Sequence, residues 1–242
     1  MQKVKLQGYD VYCDNLTEYH ELKREIWGYH FYYLDPEEYP ELARPGLRIL
    51  DAGAYIGLTT LYYTKMYDNP EITALEPNPA SYRLLEKNIY ENQLGNVKTE
   101  EIALSDRRGK DLLFRDRSSD QWYSTAGFTK GAWNGEQDSE RVLVKTESLR
   151  YYLSQGKWDI VKLDIEGAEE KVLLAAKGEI EKCDHYLIEF HPVGKKGMGK
   201  IVGMFEEKGY KVDVAIKGKV MPWHKARGLS LITAIKRKNK VR

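Results

Sequence analysis

The chain has 242 residues, 42% of them hydrophobic, enough to bury one sizeable core in a single domain. Lysine and arginine number 38 against 37 acidic residues, and a formal net charge of +1 excludes a global pull toward nucleic acid or membrane. Its two cysteines, Cys13 and Cys183, belong to no Cys-x-x-Cys pair, which argues against a disulfide or thiolate-metal framework and for a reducing compartment.

Residues 1–46 stand apart from the rest of the chain. They combine a strand over 4–12, a helical piece over 17–27 and a dense aromatic group of Tyr29, His30, Phe31, Tyr32 and Tyr33, ending before Pro45-Gly46. This segment reads as a flank or lid whose rings either cover a ligand or pack on a sheet edge. From residue 48 onward, short apolar strands near 48–52, 72–76, 97–103, 159–164 and 185–190 alternate with helices near 57–67, 79–92, 167–177 and 196–208. That alternation predicts an α/β fold, a parallel sheet covered on both faces, over residues 47–242. Segments 210–216 and 229–235, joined by a loop with Gly218, Pro222 and Gly228, predict a terminal antiparallel hairpin. A polar insertion near 115–140 carries Trp122, Tyr123, Phe128 and Trp133 between segments 110–114 and 141–146, which pair as a hairpin. Its rings offer stacking faces for a sugar, and disorder is the competing reading. The N-terminus lacks a basic-then-apolar leader, and no run of about 18 apolar residues is present. A cytoplasmic protein without a transmembrane segment is therefore expected, with membrane-surface association and homo-oligomer formation left open.

The stretch Ile49-Leu50-Asp51-Ala52-Gly53-Ala54-Tyr55-Ile56-Gly57 is an apolar strand ending in an acid, then two glycines framing a turn into a helix. Glycine lets the backbone approach a ligand closely, and amides at a helix start attract an anionic group. A dinucleotide turn wants Gly-x-Gly-x-x-Gly, but Tyr55 occupies the second glycine's place. Asp-x-Gly-x-x-x-Gly suits S-adenosylmethionine (SAM) instead, with its carboxylate toward the helix amides and its ammonium toward Asp51. Glu76, 25 positions after Asp51, ends the next strand where such folds present a carboxylate to ribose hydroxyls.

A second constellation lies further along the chain. Trp158-Asp159-Ile160-Val161-Lys162-Leu163-Asp164-Ile165-Glu166-Gly167-Ala168-Glu169 is a buried-looking strand delivering acids to a turn, and Tyr186-Leu187-Ile188-Glu189-Phe190-His191-Pro192 brings two more groups to the neighbouring strand end. Ligands of open α/β sheets bind beyond the carboxyl ends of their strands. Asp164, Glu166, Glu189 and His191 are the catalytic candidates. They would orient an acceptor hydroxyl and receive its proton, with His191 or Asp164 as base and the two glutamates orienting; His191 is expected neutral in useful supply at cellular pH. The plainer reading makes Glu166 and Glu169 helix caps and His191 a turn residue. No metal is expected, although Asp164, Glu189 and His191 have the chemistry to hold a divalent cation.

These residues resemble the FkbM family of SAM-dependent methyltransferases. The likeness runs from the Asp51–Gly57 turn through Leu75-Glu76-Pro77-Asn78-Pro79 and Ala103-Leu104-Ser105-Asp106 to Lys162-Leu163-Asp164-Ile165-Glu166-Gly167-Ala168-Glu169 and Ile188-Glu189-Phe190-His191-Pro192, within residues 47 to 215. It implies a Rossmann-like, doubly wound seven-strand sheet and O-methylation of a hydroxyl on a small molecule, a glycan or a secondary metabolite. It also implies that Asp51, Gly53, Ala54, Tyr55 and Gly57 meet the methionine end of SAM, with Asp164 beside them. Glu76 and Pro77 would meet ribose, and Ala103, Leu104 and Ser105 would lie near adenine. Two rival functions stand beside this one. An RNA methyltransferase would use Lys195-Lys196, residues 217–219 and the basic tail 236–242, which otherwise read as solvated surface; a SAM-binding protein without turnover is the other.

Overall fold

The computed structural model describes residues 1–116, 126–127, 139–192 and 197–237. Trp122, Tyr123, Phe128 and Trp133, with Lys195, Lys196 and residues 238–242, lie outside the described residues.

The chain opens with a two-stranded hairpin, β1 (Gln2–Leu6) and β2 (Tyr9–Cys13), where a single strand over 4–12 is expected. Gln7 and Gly8 both take positive φ, +49° and +100°, the conformation of a two-residue hairpin turn, and this breaks the strand. Helix α1 (Leu16–Lys23) is capped by the Asn15 side chain and runs into one π-helical segment, Arg24–Gly28. The alternating part then unfolds as β3 (Arg48–Ala52), α2 (Leu58–Met66), β4 (Glu71–Leu75), α3 (Pro79–Glu91) and β5 (Val97–Glu100). The expected strand over 97–103 ends early. Ile102 N–H turns back to the Glu100 carbonyl, and the chain leaves the sheet edge to start β6 (Ala103–Ser105) in a different sheet.

That second sheet contains β6, β7 (Gly109–Asp116), β8 (Ala126–Gly127) and β9 (Ser139–Ser148). Strands β7 and β9 pair antiparallel, as the flanks of the insertion suggest. Helix α4 (Leu149–Ser154), β10 (Trp158–Leu163), α5 (Glu169–Ala175), β11 (Cys183–Phe190), α6 (Gly197–Glu207), β12 (Tyr210–Ile216), β13 (Lys219–Met221) and β14 (Ser230–Lys236) complete the chain. The main sheet has the order β13-β12-β14-β11-β10-β3-β4-β5. Its parallel centre runs from β5 to β11, and β14 enters antiparallel between β11 and β12. The seven expected strands are all present, and the short β13 in the terminal hairpin's loop adds an eighth.

Successive residues of a strand face opposite sides of a sheet, and both sides are apolar here. Leu50, Val161 and Ile188 face one core with α4, α5 and α6. Ile49, Ile160 and Leu187 face the other with α2, α3 and the N-terminal segment, whose Leu6, Val11, Tyr19, Ile26, Tyr32 and Leu34 belong to the same cluster. Residues 1–46 are thus packed into the fold rather than laid against it. One α3 side chain and the residue just past the helix hold β2 as a neighbouring strand would. Buried Asn88 accepts from Tyr12 N–H (2.7 Å) and donates to the carbonyls of Tyr12 (3.1 Å) and Ile56 (2.7 Å), and Asn92 makes a matching pair with Asp10.

Replacing Asn88 by alanine strands the Ile56 carbonyl and the Tyr12 amide together. A loss of about 2–4 kcal/mol is expected from urea unfolding, since each unsatisfied buried polar group costs about 1–3 kcal/mol. A loss under about 0.5 kcal/mol would mean that the hairpin is not held through this residue.

Candidate functional site

The strand ends of β3, β10 and β11 open onto a cavity of about 230 Å³, walled by Gly53, Ala54, Tyr55, Lys162, Asp164, Glu166, Glu189 and His191 among others. Two glycines make the first wall. A Cβ on Gly53 (φ +77°) would sit 1.7 Å from the Asp164 carbonyl oxygen, so only glycine lets β3 and β10 close up there. Gly57 (φ +91°) starts α2 in the left-handed region with Leu85 packed against it. Between them Tyr55 is also left-handed, at φ +52°, a conformation that non-glycine residues hold only when their surroundings impose it. Its amide donates to Glu76 Oε2 (2.9 Å), and Asn78 N–H donates to Oε1 (2.8 Å). Gly53 and Ala54 both donate to the Leu75 carbonyl, so the turn's own amides are engaged. The orphan donors of an anion site are those of the first turn of α2, where Leu58 and Thr59 line the cavity.

Sequence reasoning passed over Lys162. It sits mid-strand in β10, every residue of which is buried, and pairs in register with Asp51 of β3. Its Nζ lies 3.3 Å from Asp51 Oδ1 and 3.5 Å from Asp164 Oδ2, and it donates to the carbonyls of Gly53 (2.8 Å) and Ala52 (3.3 Å). Burial alone would lower its pKa, but Asp51, Asp164 and Glu189 outweigh burial and raise it. The signal was present as a lysine set among the apolar residues Ile160, Val161 and Leu163 of the strand. Asp51 is placed differently from expectation. It is fully buried beneath the turn, with Oδ2 taken by the Thr60 hydroxyl (2.7 Å), and does not wall the cavity. The register that pairs it with Lys162 is the reason, and it acts on the cavity through that ammonium.

On the far wall Glu169, fully buried at the start of α5, accepts from the amides of Ile165 (3.2 Å) and Gly167 (3.0 Å) and from His191 Nδ1 (3.1 Å). These bonds brace the turn before α5 and fix the imidazole; the helix cap expected of Glu169 is not made, because the amides it takes precede the helix. His191 Nε2 faces Glu166 Oε2 (3.6 Å) and Asp164 Oδ1 (3.9 Å). Burial would lower the His191 pKa, but the Glu169 bond and the carboxylates of Asp164 and Glu166 push it up to about 10. The neutral imidazole expected at cellular pH is therefore corrected: three carboxylates hold His191 as the cation. The metal-ligand set is also corrected, because Glu189 bonds to Tyr32 instead. Asp164, Glu166 and His191 are the residues that come together, with side-chain N and O atoms within 4.8 Å of one another. Burial and the like charge of Asp164 push the Glu189 carboxyl up to about 8, against the opposing pulls of Tyr32 and His191.

Glu76 adjoins the cavity through Tyr55 but does not wall it, and half-buried Pro77 follows it. Burial pushes Glu76 up to about 7, opposed by the amides of Asn78 and Tyr55 and the Lys162 charge. Ala103, Leu104 and Ser105 form β6 and are buried, Leu104 in the sheet core, with Lys171 donating to the Ser105 hydroxyl (3.4 Å).

This architecture, with a glycine turn opening on a cavity beyond the central strand ends, defines a Rossmann-like methyltransferase that uses SAM. Two solved structures share the fold at a TM-score of 0.50: a methyltransferase FkbM from Methylobacillus flagellatus KT and a SAM-dependent methyltransferase from Agrobacterium tumefaciens. The first is 13% identical and covers 83% of this chain, which spans half of its length; the second is 10% identical and covers 98%, with 70% of its own length matched. Residues 51–212 match the Methyltransferase FkbM domain, and the chain belongs to that family. It is 29% identical over 195 residues to Methyltransferase sdnD of Sordaria araneosa, covering 68% of this chain and 73% of that protein. It is 25% identical over 183 residues to Methyltransferase 1 of Beauveria bassiana, with 69% and 73% covered.

Removing the ammonium alone exposes the role of Lys162. Lys162→Met leaves Asp51 buried without its cation and should destabilise the fold by about 3–5 kcal/mol, the range for breaking a buried pair on one side. Lys162→Met combined with Asp51→Asn should recover most of that loss in the same denaturant titration. A single variant as stable as the parent would remove Lys162 from the centre of the site.

Proposed function

We propose that this chain is an O-methyltransferase that moves the methyl group of SAM to a hydroxyl of a sugar, glycan or secondary metabolite. The observation that carries the reading is the cavity itself: a glycine turn on one wall and the carboxylates Asp164, Glu166 and Glu189 on the other, around an imidazolium. Gly53, Ala54, Tyr55 and Gly57 hold the methionine end of SAM, its carboxylate toward the first turn of α2 and its ammonium toward Asp164. Glu76 accepts from the ribose hydroxyls with lone pairs that the two backbone amides leave over. Pro77 and the strand containing Ala103, Leu104 and Ser105 flank the adenine. SAM supplies an electrophilic methyl group, and positioning the acceptor in line with it furnishes much of the rate. Among the acids, Glu189 fits the proton acceptor best, because a carboxyl tuned close to working pH is basic when ionised and not locked in that state. His191, as the cation, keeps its neighbouring carboxylates charged and oriented.

Methyl-labelled SAM incubated with pools of neutral sugars and glycans, small hydroxylated metabolites and RNA separates the function classes. Label is expected in one of the first two pools; label in RNA alone, weakened by added salt, would replace this reading, and binding with no label anywhere would reduce the chain to a SAM binder.

Donor binding should depend on pH through Glu76. A carboxyl raised to about 7 in the free chain is half protonated there, and ribose hydroxyls need the ionised form, so SAM affinity should strengthen as pH rises. Calorimetry between pH 6.0 and 7.5 should show about an eightfold tightening by proton linkage. Glu76→Gln should bind more weakly and lose that slope. A slope unchanged in the variant would take Glu76 out of the ribose site.

A further inference from the structure

The family match begins at residue 51, yet matched residues alone do not close the cavity. Leu22, Glu25, Ile26 and Tyr32 line it from the N-terminal segment. Tyr32 makes the most telling contacts. Its buried ring meets Phe31 edge-on at 5.0 Å, and the Lys162 ammonium lies 5.2 Å from the ring centre. Its hydroxyl donates a short hydrogen bond to Glu189 Oε2 and lies 3.3 Å from Asp164 Oδ2. The backbone two residues on is clamped to α2's end: Leu34 N–H donates to the Tyr67 hydroxyl (3.2 Å), which donates back to the Leu34 carbonyl (3.0 Å). Tyr32 is therefore delivered to the strand ends by a fixed piece of chain.

We propose that Tyr32 is a positioning residue for methyl transfer: its hydroxyl fixes the Glu189 carboxylate through Oε2 and leaves Oε1 to take the proton of the acceptor hydroxyl. The inference rests on the O-methyltransferase reading and names the groups that complete it. In the step, the acceptor oxygen bonds to the methyl carbon as the carbon–sulfur bond breaks. The sulfur keeps that electron pair and becomes a neutral thioether, and the acceptor proton passes to Glu189, which releases it to water before the next turnover. The other acids have charged partners: Asp164 faces Lys162, while Glu166 and Glu169 face His191. Glu189 is instead held by a neutral phenol, which orients a carboxylate without the deep loss of basicity that a cation in direct contact brings. Burial and the neighbouring carboxylates raise the Tyr32 phenol well above its ordinary range, so it remains a donor. The groups acting on Glu189 are Lys162 of β10 and Asp164 just past it, His191 beyond β11, Glu25 from the π-helical segment and Tyr32 itself.

Tyr32→Phe removes the hydroxyl and keeps the ring. In a chain labelled with carbon-13 at glutamate carboxyls, the resonance lost in Glu189→Gln identifies Glu189 without any acceptor. Its titration midpoint, expected near 8, should move upward in Tyr32→Phe because a donor to the ionised form is gone. With the fastest hydroxyl acceptor from the labelled-SAM pools, kcat should fall about 10- to 100-fold, within reach of general-base effects, while SAM binding stays within about twofold. Tyr32→Phe should add nothing to Glu189→Gln, since both remove one device. An unmoved Glu189 midpoint, a full kcat, or an equal loss of SAM binding would overturn the proposal. Wild-type transfer with an unimpaired variant sinks this inference alone; wild-type protein that binds SAM and methylates no hydroxyl acceptor sinks both.

Discussion

One buried ammonium organises the strand ends. An isolated charge inside a protein is strongly disfavoured, and Lys162 is tolerated because Asp51, Asp164 and the carbonyls of Ala52 and Gly53 surround it. That requirement sets several things together. It fixes the register of β10 on β3, turns the Gly53 carbonyl back toward the sheet, and places Asp164 where the strand stops. A side-chain methyl at Gly53 would push the two strands apart at the point where the lysine draws them together. Close backbone approach and charge satisfaction are thus one constraint seen from two sides.

Much of this was legible along the chain, and what escaped did so for physical reasons. Strand-to-helix alternation carries its own period, so β3, β4, β10, β11 and their helices stand close to where the residues suggest. The glycine turn and the Asp-Ile-Glu-Gly-Ala-Glu phrase announce ligand chemistry because acids and glycines gathered at strand ends are not the residue types that build a core. Asp51's partner escaped the sequence for the opposite reason: it is a lysine 111 positions later that only sheet register brings alongside. His191 misled similarly, since an ordinary imidazole titrates near neutrality and nothing local reveals that Glu166, Glu169 and Asp164 converge on it. Tyr32 was visible only as one of several rings, because its partners lie 132 and 157 positions away.

The N-terminal segment shows why a domain match and a working site need not share boundaries. Tyr19 and Tyr32 are core, packed with Leu34 in the same cluster as α2 and α3, while Tyr29 is exposed. Tyr32 also walls the cavity, so packing on the sheet and reaching the cavity are not alternatives here. Asn88 of α3 and Asn92 just past its end, which bond β2, tie this segment to α3, and Asn88 also donates to the Ile56 carbonyl in the glycine turn.

The charges of the site match the charge history of the reaction. SAM arrives with a positive sulfonium and leaves as a neutral thioether, so positive charge passes from sulfur to a proton that the enzyme must place. A wall made only of ionised carboxylates would favour the charged donor over its product and add nothing to the step, because uniform attraction to the ground state does not lower a barrier. Here Lys162 and His191 offset the acids that face them, and the carboxyl that burial leaves near neutrality is the one beside a neutral hydroxyl. In the transfer proposed above, the same arrangement lets Glu189 return its proton without a large change elsewhere, because Asp164, the like charge that raises its pKa, is itself held by Lys162. Proton handling in this cavity is thereby traced to the lysine at the centre of the sheet.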